Sequence, residues 1–98
     1  MKKLIMLFGA LSFSALAAHA FTGEKYAAEA KITMPEARVI AVKAFPGKIV
    51  DEELEQEKGG SGLRYSFDIR RGKATQEVGV DAKTGAVLEN VPEGKHPD

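Results

Sequence analysis

Leu63, Tyr65, Phe67 and Ile69 alternate without a break with Arg64, Ser66, Asp68 and Arg70, and nothing else in the chain restricts its fold as strongly. Successive side chains of an extended strand point to opposite faces, so this stretch is a strand with one covered face and one wet face. The sheet that contains it needs an apolar layer on one side only. Downstream, residues 74–80 continue the alternation, and Arg71-Gly72 between the two runs reads as a two-residue hairpin turn. Pairing Arg70 with Lys73 sets Ile69 opposite Ala74, Phe67 opposite Gln76, Tyr65 opposite Val78 and Leu63 opposite Val80. A slip of one residue would send every apolar side chain to the wet face, so the parity of the pairing is tightly held.

The covering layer comes from the one convincing helix, residues 32–47. Thr33-Met34-Pro35-Glu36 has the pattern of a capping box, in which the Thr33 hydroxyl accepts from the Glu36 amide and the Glu36 carboxylate accepts from the Thr33 amide. Pro46 and Gly47 end the helix, because the residue before a proline is pushed out of the helical region. Ala37, Ile40, Ala41 and Ala44 form a narrow apolar stripe whose small side chains let a sheet approach closely. Val39 and Val42 point away from that stripe. They are solitary surface valines, are covered by Tyr26, or belong with Phe45 to a surface for a partner.

Residues 48–57 place Val50 and Leu54 on one face and Asp51, Glu53, Glu55 and Glu57 on the other, and residues 58–62 form a glycine-rich turn. Asp81 to Gly85 is a second short turn, residues 86–91 return as the last strand, and residues 92–98 are a polar tail. The fold class is therefore α+β, one helix packed on one face of a four-stranded antiparallel meander. The expected core is Ile32, Ala37, Ile40, Ala41, Ala44, Val50, Leu54, Leu63, Tyr65, Phe67, Ile69, Val78, Val80 and Val87.

Ahead of this domain, residues 1–20 have Lys2 and Lys3, an apolar run from Leu4 to Ala18, and the small-residue ending Ala18-His19-Ala20. That is the pattern of a cleaved secretory signal peptide, which directs the chain to the periplasm or the exterior. Residues 21–31 are expected to be a loosely ordered arm. The remaining chain is one domain near the lower size at which a single core is self-sufficient. It has no cysteine, so packing must supply its stability and thiol chemistry is excluded. The balance of 14 basic and 14 acidic side chains moves two charges to the acidic side once Lys2 and Lys3 are removed. That gives no electrostatic basis for binding nucleic acid or an anionic membrane.

Residues with catalytic potential are sparse. His19 leaves with the signal peptide, His96 stands alone in the tail, and Ser61 sits among glycines, so no nucleophile and base form a pair. Alternate carboxylates on a strand lie about 7 Å apart and point in parallel, whereas calcium takes several convergent oxygens at about 2.3 to 2.6 Å. The acidic run from Asp51 to Glu57 therefore reads as a charged strand that discourages edge pairing, with Glu55 or Glu57 facing Arg64. No metal site, no cofactor and no enzymatic activity are expected.

The capped helix continuing into IAVKAFPGKIVDEELE, the LRYSFDI strand, and EVGVDAKTGAVL together resemble the PepSY domain over residues 30–90. The most specific part is Val80-Asp81-Ala82-Lys83-Thr84-Gly85-Ala86-Val87. PepSY domains occur in propeptides of secreted thermolysin-type metallopeptidases and in small exported proteins, so the resemblance implies a non-catalytic module that inhibits or assists a secreted peptidase in trans. The alternative is an envelope interaction or sensing module with no protease partner. Candidate partner-binding residues are Val39, Val42 and Phe45 on the helix and Arg64, Asp68, Arg70 and Glu77 on the wet sheet face. Thr33, Glu36, Pro46, Gly47, Tyr65, Phe67, Asp81 and Gly85 are read as structural.

Overall fold

A computed structural model describes residues 21–93. The signal-peptide reading of residues 1–20 and the end of the polar tail lie outside them. Helix α1 (Met34–Ala44) is followed by strands β1 (Lys48–Gln56), β2 (Leu63–Arg71), β3 (Ala74–Asp81) and β4 (Val87–Pro92). The strands form an antiparallel sheet in the order β1-β2-β3-β4, with α1 lying across β2, β3 and β4. This is the α+β arrangement of one helix on one face of a four-stranded meander. Pro92 belongs to β4, and the Glu93 amide donates to the Thr75 carbonyl, so the tail begins later than its composition indicates.

The capping box of α1 is complete, with Thr33 N–H donating to Glu36 Oε1 at 2.8 Å and Glu36 N–H donating to Thr33 Oγ1 at 3.3 Å. Together they satisfy two amides that have no partner within the helix. Ala37 and Ala41 are fully buried and Ile40 and Ala44 half-buried. Met34 joins them in the core, one turn before Ala37 on the same helical face. Tyr65 donates its hydroxyl to the Ile32 carbonyl at 2.7 Å, tying β2 to the chain that enters the helix. Leu54, Phe67, Ile69, Val78 and Val80 are buried beneath this layer, each such side chain contributing about 1.5 to 3 kcal/mol of apolar transfer.

The β2–β3 hairpin keeps the expected parity but slides by two residues. Arg71 pairs with Ala74, Ile69 with Gln76, Phe67 with Val78 and Tyr65 with Val80. The turn is Gly72-Lys73, with Gly72 at φ 65 in the first central position, where a type II′ hairpin turn takes glycine. The shift also sets Phe67 against valine instead of glutamine.

Two expected core valines lie outside. Val50 is the extra residue of a bulge between Ile49 and Asp51, so Ile49 takes the inward place opposite Ile69 and Val50 stays 47% exposed. Val87 pairs with buried Val80, beyond an irregularity between Gly79 and Val80, yet is 43% exposed at the start of the edge strand β4. A bulge leaves one residue of the strand unpaired, which accounts for Val50, whereas Val87 is left open by its place at the start of an edge strand.

Residues 21–31 are not a loose arm. Glu24–Glu29 form a 3-10 helix packed against β1, Thr22 bridges to Glu53 in parallel, and the Leu54 amide donates to the Thr22 carbonyl at 2.8 Å. Phe21, Tyr26 and Ala30 pack against the core. The arm thereby extends the helical layer over the strand that α1 leaves uncovered. Gly23 permits the turn into it, since its φ is 88 and a Cβ there would collide with the Leu54 carbonyl.

Candidate functional site

The sheet face opposite α1 carries most of the polar side chains of the strands. Register and alternation arrange them in cross-strand rows. One row runs Asp51, Asp68, Glu77 and Val91, the next Glu53, Ser66, Gly79 and Glu89, and the third Glu55, Arg64 and Asp81. The face therefore has an acidic middle and one end built around Arg64 and Asp81.

Asp81 is 1% exposed and gathers donors from two loops. The Ser61 amide donates to Oδ2 at 2.7 Å, and Oδ1 accepts from the Ser61 hydroxyl at 2.7 Å, the Lys83 amide at 2.8 Å and the Thr84 amide at 3.2 Å. Burial alone would push this carboxyl up, but the donors outweigh it and hold it at about 2. One aspartate thus binds the glycine-rich β1–β2 turn to the β3–β4 turn. The sequence marks Asp81-x-x-Thr-Gly85 as a turn, but nothing in it points to Ser61 as the second attachment.

Arg64 is equally built in. It is 8% exposed, donates from NH1 to Glu89 at 3.1 Å and from NH2 to the Lys58 carbonyl at 3.0 Å, and lies 3.8 Å from Glu57. Its side chain crosses Gly79, where an added Cβ would stand 2.9 Å from Cδ. A buried arginine with these attachments holds β2 to β4 and to the β1–β2 turn and offers no surface to a partner.

The acidic middle has the opposite electrostatics. A hydrogen bond with Asp51, then burial, then the charges of Asp51, Glu55 and Asp68 raise the Glu53 carboxyl. Asp68 is raised by burial first and then by Glu93 and Asp51. A hydrogen bond with Glu55 raises Glu57, followed by burial and opposed by Arg64. Like charges directly opposite one another on a sheet are destabilising, so here ionisation costs stability.

The remaining candidates divide between two surfaces. Arg70 is exposed and Asp68 and Glu77 are half-buried on the outer sheet face, whereas Val39, 60% exposed, and half-buried Val42 lie on the helix side. Phe45 caps the helix and packs on the core, with the Arg71 guanidinium 4.2 Å over its ring. These groups do not converge on one site. Arg38 and Glu52 form a bidentate pair, both bonds 2.8 Å, that joins α1 to β1. Their separation of 14 residues hides the pair from any local reading of the sequence.

Among the described residues no group of three or more histidine, cysteine, aspartate or glutamate side chains is placed to hold a metal ion, and no helix is long and apolar enough to cross a membrane. Comparison with curated proteins and with solved structures finds no match. Residues 31–90 match the family model described as the peptidase propeptide and YPEB domain, PepSY. The match spans more than half of the chain and takes in α1, β1, β2, β3 and the start of β4. The chain belongs to the PepSY family, whose domains are propeptide-like modules related to peptidase inhibition.

Proposed function

We propose that this chain is an exported, non-enzymatic PepSY module that binds a secreted peptidase in trans and inhibits or assists it. The observation that carries this reading is the PepSY match over residues 31–90, which spans the helix and the sheet, combined with a signal-peptide pattern ahead of it. The polar chemistry on the sheet supports binding more than turnover. Its best-organised groups, Asp81 and Arg64, are occupied in holding loops and strands, and its exposed groups are spread in rows. On the outer face the contact residues are Asp68, Arg70 and Glu77, with Arg64 excluded by burial.

Incubating the exported chain with the metallopeptidases secreted by the same cell tests this reading. A stable complex with altered peptide hydrolysis is expected, and the pair Asp68→Lys and Glu77→Lys weakens it by about tenfold through reversed charge. Neither a complex nor any change in hydrolysis would remove the peptidase reading. The module would then be an interaction or sensing domain without a protease partner.

A further inference from the structure

Strand β1 spans nine residues at the edge of the sheet. Such an edge is a template for another strand unless it is paired, covered or blunted; the carboxylates of β1 discourage indiscriminate pairing and leave a strand with basic side chains favoured. Among the described residues its outer side carries one parallel bridge, from Thr22 to Glu53, with the Leu54 amide bonded to the Thr22 carbonyl. The arm that follows Thr22 is docked but shallow: the 3-10 helix Glu24–Glu29 has no buried residue and no side-chain cap, and its hold on the body is the partly buried Phe21, Tyr26 and Ala30. Segments with so few buried contacts open at low free-energy cost.

Beside the other half of this strand lies a cleft of about 390 Å³ lined by Arg38, Ile49, Val50, Asp51 and Glu52. The bulge turns Val50 outward there, and bulges are over-represented where a side chain is re-aimed beside a functional site. Val39 is 60% exposed on α1, one residue after Arg38. Asp51 is exposed and belongs to the acidic row of the outer face.

We propose that the β1 edge is a strand-addition site for an extended segment of a partner polypeptide, which pairs with β1 in the place and direction of Thr22 and displaces the arm. The segment places an apolar side chain in the cleft against Ile49 and Val50 and a basic one beside Asp51. Main-chain hydrogen bonds supply affinity in this mode, and pockets for alternate side chains supply specificity. The lining of the cleft ends at Glu52, next in sequence to Glu53, where the arm already makes one parallel bridge to the edge, so pairing of this kind is made once within the fold. A cation beside Asp51 also relieves the crowding of carboxylates around it. The inference goes beyond the peptidase reading, because it needs an extended polypeptide and not a peptidase.

The experiment is a titration of the isotope-labelled exported chain with a blocked peptide of sequence Val-Lys-Val-Lys-Thr-Gly. Amide shifts are expected along Lys48–Gln56 and, at the same peptide concentrations, along residues 21–29 as the arm leaves. Gly23→Val unseats the arm and tightens binding by about tenfold, because the open edge no longer has to be populated first. Tyr26→Ala, which removes an anchor of the arm without backbone strain, moves affinity in the same direction. Val50→Lys, at an exposed position, weakens binding by about tenfold through like charge in the cleft. Shifts that avoid β1, or an affinity indifferent to both arm variants, would overturn the inference. So would a peptidase complex that requires β1 to be empty yet is unaffected by Val50→Lys. Peptide binding at β1 with no peptidase complex would support it and remove the reading above.

Discussion

At one end of the outer sheet face Asp81 is buried among four hydrogen bonds from Ser61, Lys83 and Thr84, while in the middle Asp51, Asp68 and Glu77 stand opposite one another across three strands. The residue types are the same and the consequences of ionisation are reversed. Around Asp81 the donors compensate for burial and the charged form is favoured. Around Asp68 burial and neighbouring carboxylates act together and the charged form is disfavoured. Donors fixed by backbone turns make a carboxylate part of the architecture, whereas a carboxylate facing other carboxylates is a surface charge that the fold tolerates. The first belongs to the scaffold, and the second is what the scaffold presents.

Asp81→Asn gives the largest effect on this contrast. It leaves one acceptor oxygen where several donors converge and turns an amide toward them, so a loss of about 2 to 4 kcal/mol is expected in denaturant unfolding. The same residue sets a pH dependence. Its carboxyl lies at about 2 in the folded chain against an ordinary aspartate value of 3.8, so its stabilisation is fully present above the higher value and is lost as pH falls toward the lower. The asparagine variant should lack that segment of the stability curve. Asp68→Asn should act in the other direction and more weakly. The raised carboxyl of Asp68 costs stability while ionised, so the variant gains up to about 1 kcal/mol at neutral pH. The gain disappears as pH falls through the folded value and the native residue protonates. A stabilised Asp81→Asn or a destabilised Asp68→Asn would erase the contrast.

Much of the architecture can be read from local pattern. Thr33, Pro35 and Glu36 announce the helix start, and the alternation of Leu63, Tyr65, Phe67 and Ile69 announces a strand with one covered face. Alternation sets parity alone, however, and the two-residue slide of the β2–β3 hairpin preserves parity. Only the preference of Gly72 for the first central position distinguishes the two registers. Val50 misleads because a bulge leaves no mark on composition, and Val87 because composition does not tell an edge strand from a covered one. Nor does the arm show its docking in its own residues, because its partner is the backbone of Leu54. Among candidate contact residues, exposure decides. Arg64 looks like Arg70 in the alternating strand, yet its partners Glu89 and Lys58 come from another strand and a turn and draw it inward.

A carbon-detected NMR titration of the side-chain carboxyls in residues 21–98 tests the central contrast most directly. Asp81 is expected to titrate near 2 and Asp68 above the ordinary aspartate value of 3.8, with Asp81→Asn removing the first transition and leaving the second in place. An Asp81 carboxyl that titrates at or above Asp68 would contradict the division of this face into scaffold and presented surface.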